Sequence, residues 1–172
     1  MGNKRIGLAR TQALIEGLKR ELQMDSTMKG ALTPLVTVTA AQELSAEQSG
    51  ATIYWTHSVA HDLTLPTATA GLQYTFILLA GAAANHHIVT QSADKIFGRA
   101  TVTSTTDDQI ATQVVLKASG KNKIHLHRNV ATTGGNAGDI ITLVCAEDGY
   151  WVCNTNLSTL NATPASIATL TD

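Results

Sequence analysis

Two periodicities divide this chain. Over residues 6–24 apolar side chains recur at helical spacing: Leu8, Ile15 and Leu22 lie seven apart, and Leu18 adds a d-type position between two of them. Thr11 and Asp25 are weak occupants of the same seam. The segment is rich in Leu, Ala, Glu, Lys, Arg and Gln and nearly free of β-branched residues, which predicts a helix. About two heptads are too short to be stable in isolation. Three docking places are open: its own domain, symmetry-related copies, or a partner's surface.

From residue 52 the period changes to two, in short β-type runs separated by turn residues. Strands are predicted over residues 52–55, 63–65, 73–79, 88–90, 96–102, 112–117, 123–127, 140–144 and 150–154, with 73–79 the most apolar and central. Residues 81–85, 106–108, 119–122 and 132–138 are turn material. About nine or ten strands without intervening helices predict a mainly β fold, an antiparallel β-sandwich or jelly-roll-like domain with an N-terminal α-helix. The expected organisation is a helical arm over residues 1–30, a connector over 31–50, the sandwich over 51–156 and an extended tail over 157–172. Within the connector, Thr33-Pro34 opposes helix, 35–39 alternates like a short strand, and 40–48 is a polar run ending at Ser49-Gly50.

Composition sharpens this division. Of 172 residues, 15% are charged and 4% aromatic, while 25 are Thr and 24 Ala. A core of Ile, Val, Leu and Thr is therefore expected. The net charge of −1 is a sum of unlike parts. Residues 1–30 hold six basic and three acidic side chains, net +3, and the remainder carries −4. With a pI of about 6.6 there is no basic face for nucleic acid. No apolar run approaches the length of a membrane helix, and no apolar segment of a secretory signal follows the basic N-terminus. Met1-Gly2 is followed by Ile6 where a myristoylation motif needs Ser or Thr. Neither nucleic acid nor membrane is expected as a partner.

Candidate chemistry is sparse. Cys145 and Cys153 flank the turn at Asp148-Gly149; they read as reduced, semi-buried thiols, although facing hairpin positions permit a bridge. Of six histidines, His57 and His61 lie four apart in a non-helical region, His86-His87 reads as a turn, and His125 and His127 alternate along a strand. An H-x-H pair suits zinc, copper or iron, but Arg128 and Asn129 follow and no carboxylate appears before Asp139. An outward or intersubunit face is the simpler reading, and a histidine ring there gives pH dependence. Gly134-Gly135-Asn136-Ala137-Gly138 precedes a strand, not the helix that a phosphate loop requires. Asp107-Asp108 and Glu147-Asp148 read as solvated turns. The sequons at Asn156 and Asn161 carry little meaning without a secretory signal. No nucleophile motif is present. No cofactor, metal or catalytic residue is expected.

One stretch is more specific: Leu63-Thr64-Leu65-Pro66-Thr67-Ala68-Thr69-Ala70-Gly71-Leu72-Gln73-Tyr74-Thr75-Phe76. It resembles the small β-rich decoration (cement) and head-fibre proteins of tailed bacteriophages, which repeat T-L-P-A-A-T-A-G before a strand bearing a Tyr and a Phe. Ile88-Val89, the strand at Gly98, a Thr-rich turn, Gly138-Asp139-Ile140-Ile141-Thr142-Leu143 and the closing Gly149-Tyr150-Trp151-Val152 follow in the same order. The resemblance spans roughly residues 50–155 and omits residues 1–48. It implies a non-enzymatic homotrimer, made in the host cytoplasm, that sits on the virion capsid surface at local threefold axes and clamps the major capsid protein. The family pattern carries over no catalytic residues.

The arm is then the candidate interface for trimerisation or capsid docking, through Leu8, Ile15, Leu18 and Leu22 on its seam and Arg5, Arg10, Lys19 and Arg20 as its charges. Two other classes stay open. One is a tail-fibre or receptor-binding module that stacks glycan on Trp55, Tyr150 or Trp151. The other is a cupin-like metalloenzyme using His125 and His127.

Overall fold

The computed structural model describes residues 10–17, 35–56, 58–91, 93–107, 109–130, 132–160 and 169–172. The chain divides into two compact units, Met1–Thr33 and Pro34–Asp172. In the first, residues 10–17 form helix α1 with all side chains exposed; the rest of the expected 6–24 helix lies outside the described residues. Residues 35–50 of the expected 31–50 connector fall in the second unit, and its alternating segment pairs with the strand at Thr52–Trp55.

That body is mainly β. Its strands are β1 (Leu35–Val38), β2 (Gln42–Glu43), β3 (Thr52–Trp55), β4 (Asp62–Thr64), β5 (Gln73–Leu78), β6 (His86–Val89), β7 (Lys95–Ser104), β8 (Ile110–Val115), β9 (Lys123–Leu126), β10 (Ile140–Glu147), β11 (Tyr150–Thr159) and β12 (Leu170–Thr171). They form a seven-stranded sheet, β1-β3-β5-β10-β11-β7-β8, and a five-stranded sheet, β12-β9-β6-β4-β2. The arrangement is sandwich-like, but both sheets are mixed where an antiparallel fold was expected.

The parallel pairs have a simple origin. The chain visits the large sheet at β1, β3 and β5 and the small sheet at β2, β4 and β6, always advancing in one direction. Residues 35–89 thus wind as three rungs of a two-sheet coil. Inward side chains stack in register from rung to rung: Val36 on Ile53 on Phe76, and Val38 on Trp55 on Leu78. Later strands close this coil antiparallel, β10 against β5 and β9 against β6.

Period-two alternation accounts for the single core. On β11, Trp151, Cys153, Thr155, Leu157 and Thr159 point inward and are buried. Trp151, Cys153 and Leu157 join Trp55, Tyr74, Phe76 and the aliphatic residues of both sheets in one cluster; each buried Leu, Ile or Phe contributes about 1.5–3 kcal/mol over its exposed state. Long parallel pairing of β11 with β7 requires Gly98. Its φ is +128°, and a Cβ there would lie 2.2 Å from the Cys153 carbonyl oxygen.

Several limits differ from the sequence reading. β6 begins at His86, so the preceding turn ends at Asn85. β8 starts at Ile110, and Lys117–Ser119 is a 3-10 turn. β9 ends before His127. The expected tail contributes Leu157 and Leu170 to the core, drawn in by β11 and β12.

Candidate functional site

The stretch that carries the family resemblance is a crossing from the small sheet to the large one. β4 ends at Thr64, and Leu65 and Ala68 are buried. The Leu65 N–H reaches the Val89 carbonyl at 2.8 Å, and Pro66 needs no acceptor. The Asp94 carboxylate accepts the Ala68 N–H at 2.7 Å, and Asp148 accepts that of Ala70 at 2.8 Å. The Ala68 carbonyl takes the Gly149 N–H, while the Gly71 N–H reaches Cys145. Gly71, at φ +96°, turns the chain into β5. Small side chains let the backbone lie this close to its clamps. Asp94 and Asp148 went unrecognised in the sequence because their partners are backbone groups more than twenty residues away.

The glycine-rich segment is held the same way. Asp139 is buried and its Oδ2 accepts the N–H groups of Gly135, Asn136 and Ser158 at 3.0, 2.9 and 2.8 Å, while Oδ1 accepts the Ser158 hydroxyl at 2.7 Å. Burial pushes this carboxyl up, and the Ser158, Asn136 and Gly135 donors pull it back. A structural anchor thus occupies the loop that glycine content alone makes resemble a phosphate cradle.

Of the arm's candidate interface residues, Arg10 and Ile15 lie on α1 and are exposed, Ile15 at 48%. Leu8, Leu18, Leu22, Arg5, Lys19 and Arg20 lie outside the described residues.

The histidines gather on the small sheet. Asp62, His87 and His125 are register partners on β4, β6 and β9. His87 Nδ1 is 2.7 Å from Asp62 Oδ1, the His87 and His125 rings are 5.0 Å apart, and His125 Nε2 meets Asn85 Oδ1 at 3.1 Å. Burial, then the neighbouring His87, His127 and Lys123, lower the pKa of His125. His86 is buried beside Trp55, with ring centroids 5.0 Å apart. His127 follows β9 and its Nδ1 accepts the Asn129 N–H. His57 lies outside the described residues. Among the described residues no three His, Cys, Asp or Glu side chains form a group able to hold a metal.

Cys145 and Cys153 are buried free thiols. They are diagonal rather than facing, because Cys145 opposes Trp151 and Cys153 opposes Leu143. Burial pushes Cys153 up to about 12. Trp55 and Trp151 are 1% and 0% exposed, so neither offers an indole face to a glycan. Tyr150 is half-buried, edge-on to Phe97 and under the Lys117 ammonium.

The outer face of the seven-stranded sheet carries continuous register rows. One register row crosses all seven strands as Thr37, Tyr54, Ile77, Ile140, Asn156, Thr101 and Thr112. The next runs Leu35, Thr52, Thr75, Thr142, Asn154, Arg99 and Val114. These two rows contain a single charge, Arg99. The outer face of the small sheet is different in kind, bearing Glu43, Asp62, His87, Lys123 and His125. Sequence alternation missed this contrast because Thr, Ile and Val suit an inward and an outward position equally well.

Comparison with protein-family models, curated proteins and solved structures finds no match for this chain. No helix among the described residues is long and apolar enough to cross a membrane.

Proposed function

We propose that this chain is a phage virion structural protein, a capsid decoration (cement) protein that binds the outer surface of the shell as a homotrimer and stabilises it without catalysing a reaction. The observation that carries this reading is the crossing at residues 64–71, Thr-Leu-Pro-Thr-Ala-Thr-Ala-Gly, which resembles the family's T-L-P-A-A-T-A-G run with Thr67 in place of an Ala. In this chain the run joins the two sheets, with the Ala68 and Ala70 N–H groups held by the Asp94 and Asp148 carboxylates.

The mechanism is multivalent. A single arm contact is weak, but three arms on one trimer meet neighbouring sites on the major capsid protein at high effective concentration. The arm's net charge of +3 speeds encounter with an acidic surface and makes binding salt-dependent. Bridging adjacent capsomers then resists their separation.

Co-sedimentation of purified protein with shells stripped of it tests this. Binding is expected to fall as salt rises and to be lost on deletion of residues 1–30. Undiminished binding and unchanged oligomer mass after that deletion would remove the arm from the mechanism. No binding to the shell at any salt concentration would remove the function.

A further inference from the structure

We propose that copies of this chain associate through the outer face of the seven-stranded sheet, centred on Tyr54, Ile77 and Ile140. The inference rests on the homotrimer named above and gives that assembly a surface in the β-body rather than in the arm.

Three observations favour a second copy as the occupant. The first is charge. The two rows that cross this face hold only Arg99, on the sixth of seven strands and away from the centre. An uncharged face meets no repulsion from its own copy, whereas it has no charges with which to select a foreign partner. The opposite face of the sandwich carries Glu43, Asp62 and Lys123, so the low charge of the chain as a whole does not explain the difference.

The second is apolar exposure. Ile140 is 45% exposed and pairs with Ile77 on β5, which pairs with Tyr54 on β3, and Val144, 37% exposed on the same strand, pairs with Val152 on β11. Single exposed apolar residues are ordinary, but a contiguous set marks an interaction surface. The third is size. Seven strands about 4.8 Å apart, over five residues of about 3.3 Å, make a face on the order of 30 by 17 Å. That is the same order as the roughly 800 Å² per partner of a standard stable interface.

β-Branched and Thr positions also suit a fixed, flat contact, because they lose little rotamer freedom on burial.

Sedimentation of the full chain, without any shell, tests the surface. The wild type is expected at three times the 18.1 kDa chain mass. Ile140→Arg is expected to reduce it to a single chain mass with circular dichroism and melting still cooperative. Thr75→Lys, which removes little packing, repeats the test if Ile140→Arg fails to fold. Thr64→Lys, on the small sheet, is expected to leave the assembly intact. A monomeric wild type, or folded Ile140→Arg and Thr75→Lys that keep the wild-type mass, overturns the inference. A dimer abolished by these changes upholds the surface and contradicts the trimer. Shell binding is a separate readout, so failure of the capsid reading does not resemble failure of this one.

Discussion

Gly98 shows how tightly single positions are specified in this body. A methyl group there collides with the Cys153 backbone, and the left-handed φ opposes any L side chain. Gly98→Ala is expected to cost at least about 2 kcal/mol in urea unfolding; an unchanged midpoint would contradict the β7–β11 geometry. Asp139 makes a second case. Asp139→Asn loses the charge and leaves one acceptor oxygen for the four donors gathered on Asp139, and a loss of about 2–3 kcal/mol is expected. The buried thiols predict no native labelling by a disulfide reagent and rapid labelling in urea. His125 adds a pH dependence with a definite sign. Its folded pKa lies below its unfolded value, so its favourable contribution is complete above about pH 6.5 and is lost as pH falls through the folded value. Urea midpoints should drop from pH 7 to pH 5 more steeply in the wild type than in His125→Gln. Equal slopes would contradict this.

At the scale of elements, legibility followed local alternation. β3, β5, β10 and β11 were visible because inward and outward side chains differ in kind along each. β2 was not, since Gln42 and Glu43 are polar and only their parallel pairing with β4 makes them a strand. The coil was hidden for a related reason. Its rungs are unequal: Leu35 pairs with Thr52, 17 residues on, and Thr52 with Thr75, 23 residues on. No fixed repeat marks them, and short strands without helices suggest antiparallel hairpins. His86-His87 resembled a turn because neither residue favours a strand; burial of His86 against Trp55 overrides that preference. The crossing over residues 63–71 was legible as a motif and not as a structure, because its clamps Asp94 and Asp148 come from distant turns. Asp94→Ala should lower stability by about 1–3 kcal/mol through the orphaned Ala68 N–H, and hydrogen exchange at Ala68 should rise with it. Exchange that stays slow at Ala68 would contradict the clamp.

For the whole molecule, unlike parts sum to near neutrality: a basic N-terminal segment, a small sheet whose outer face is charged, and a large sheet whose two seven-strand rows hold one charge, Arg99. Of the expected 6–24 helix, the structure describes residues 10–17, and these are helical. The uncharged face was not legible, because a sequence does not say which of two β-branched positions meets solvent. Together these surfaces give the proposed assembly a self-contact and a shell contact that use different residues. Quantitative mass spectrometry of purified particles measures whether this chain sits on the capsid surface in shell-scale number. The proposal predicts on the order of hundreds of copies per particle, following the symmetry of the shell. About a dozen copies would instead mark a fibre or tail component, and absence from the particle would contradict the account.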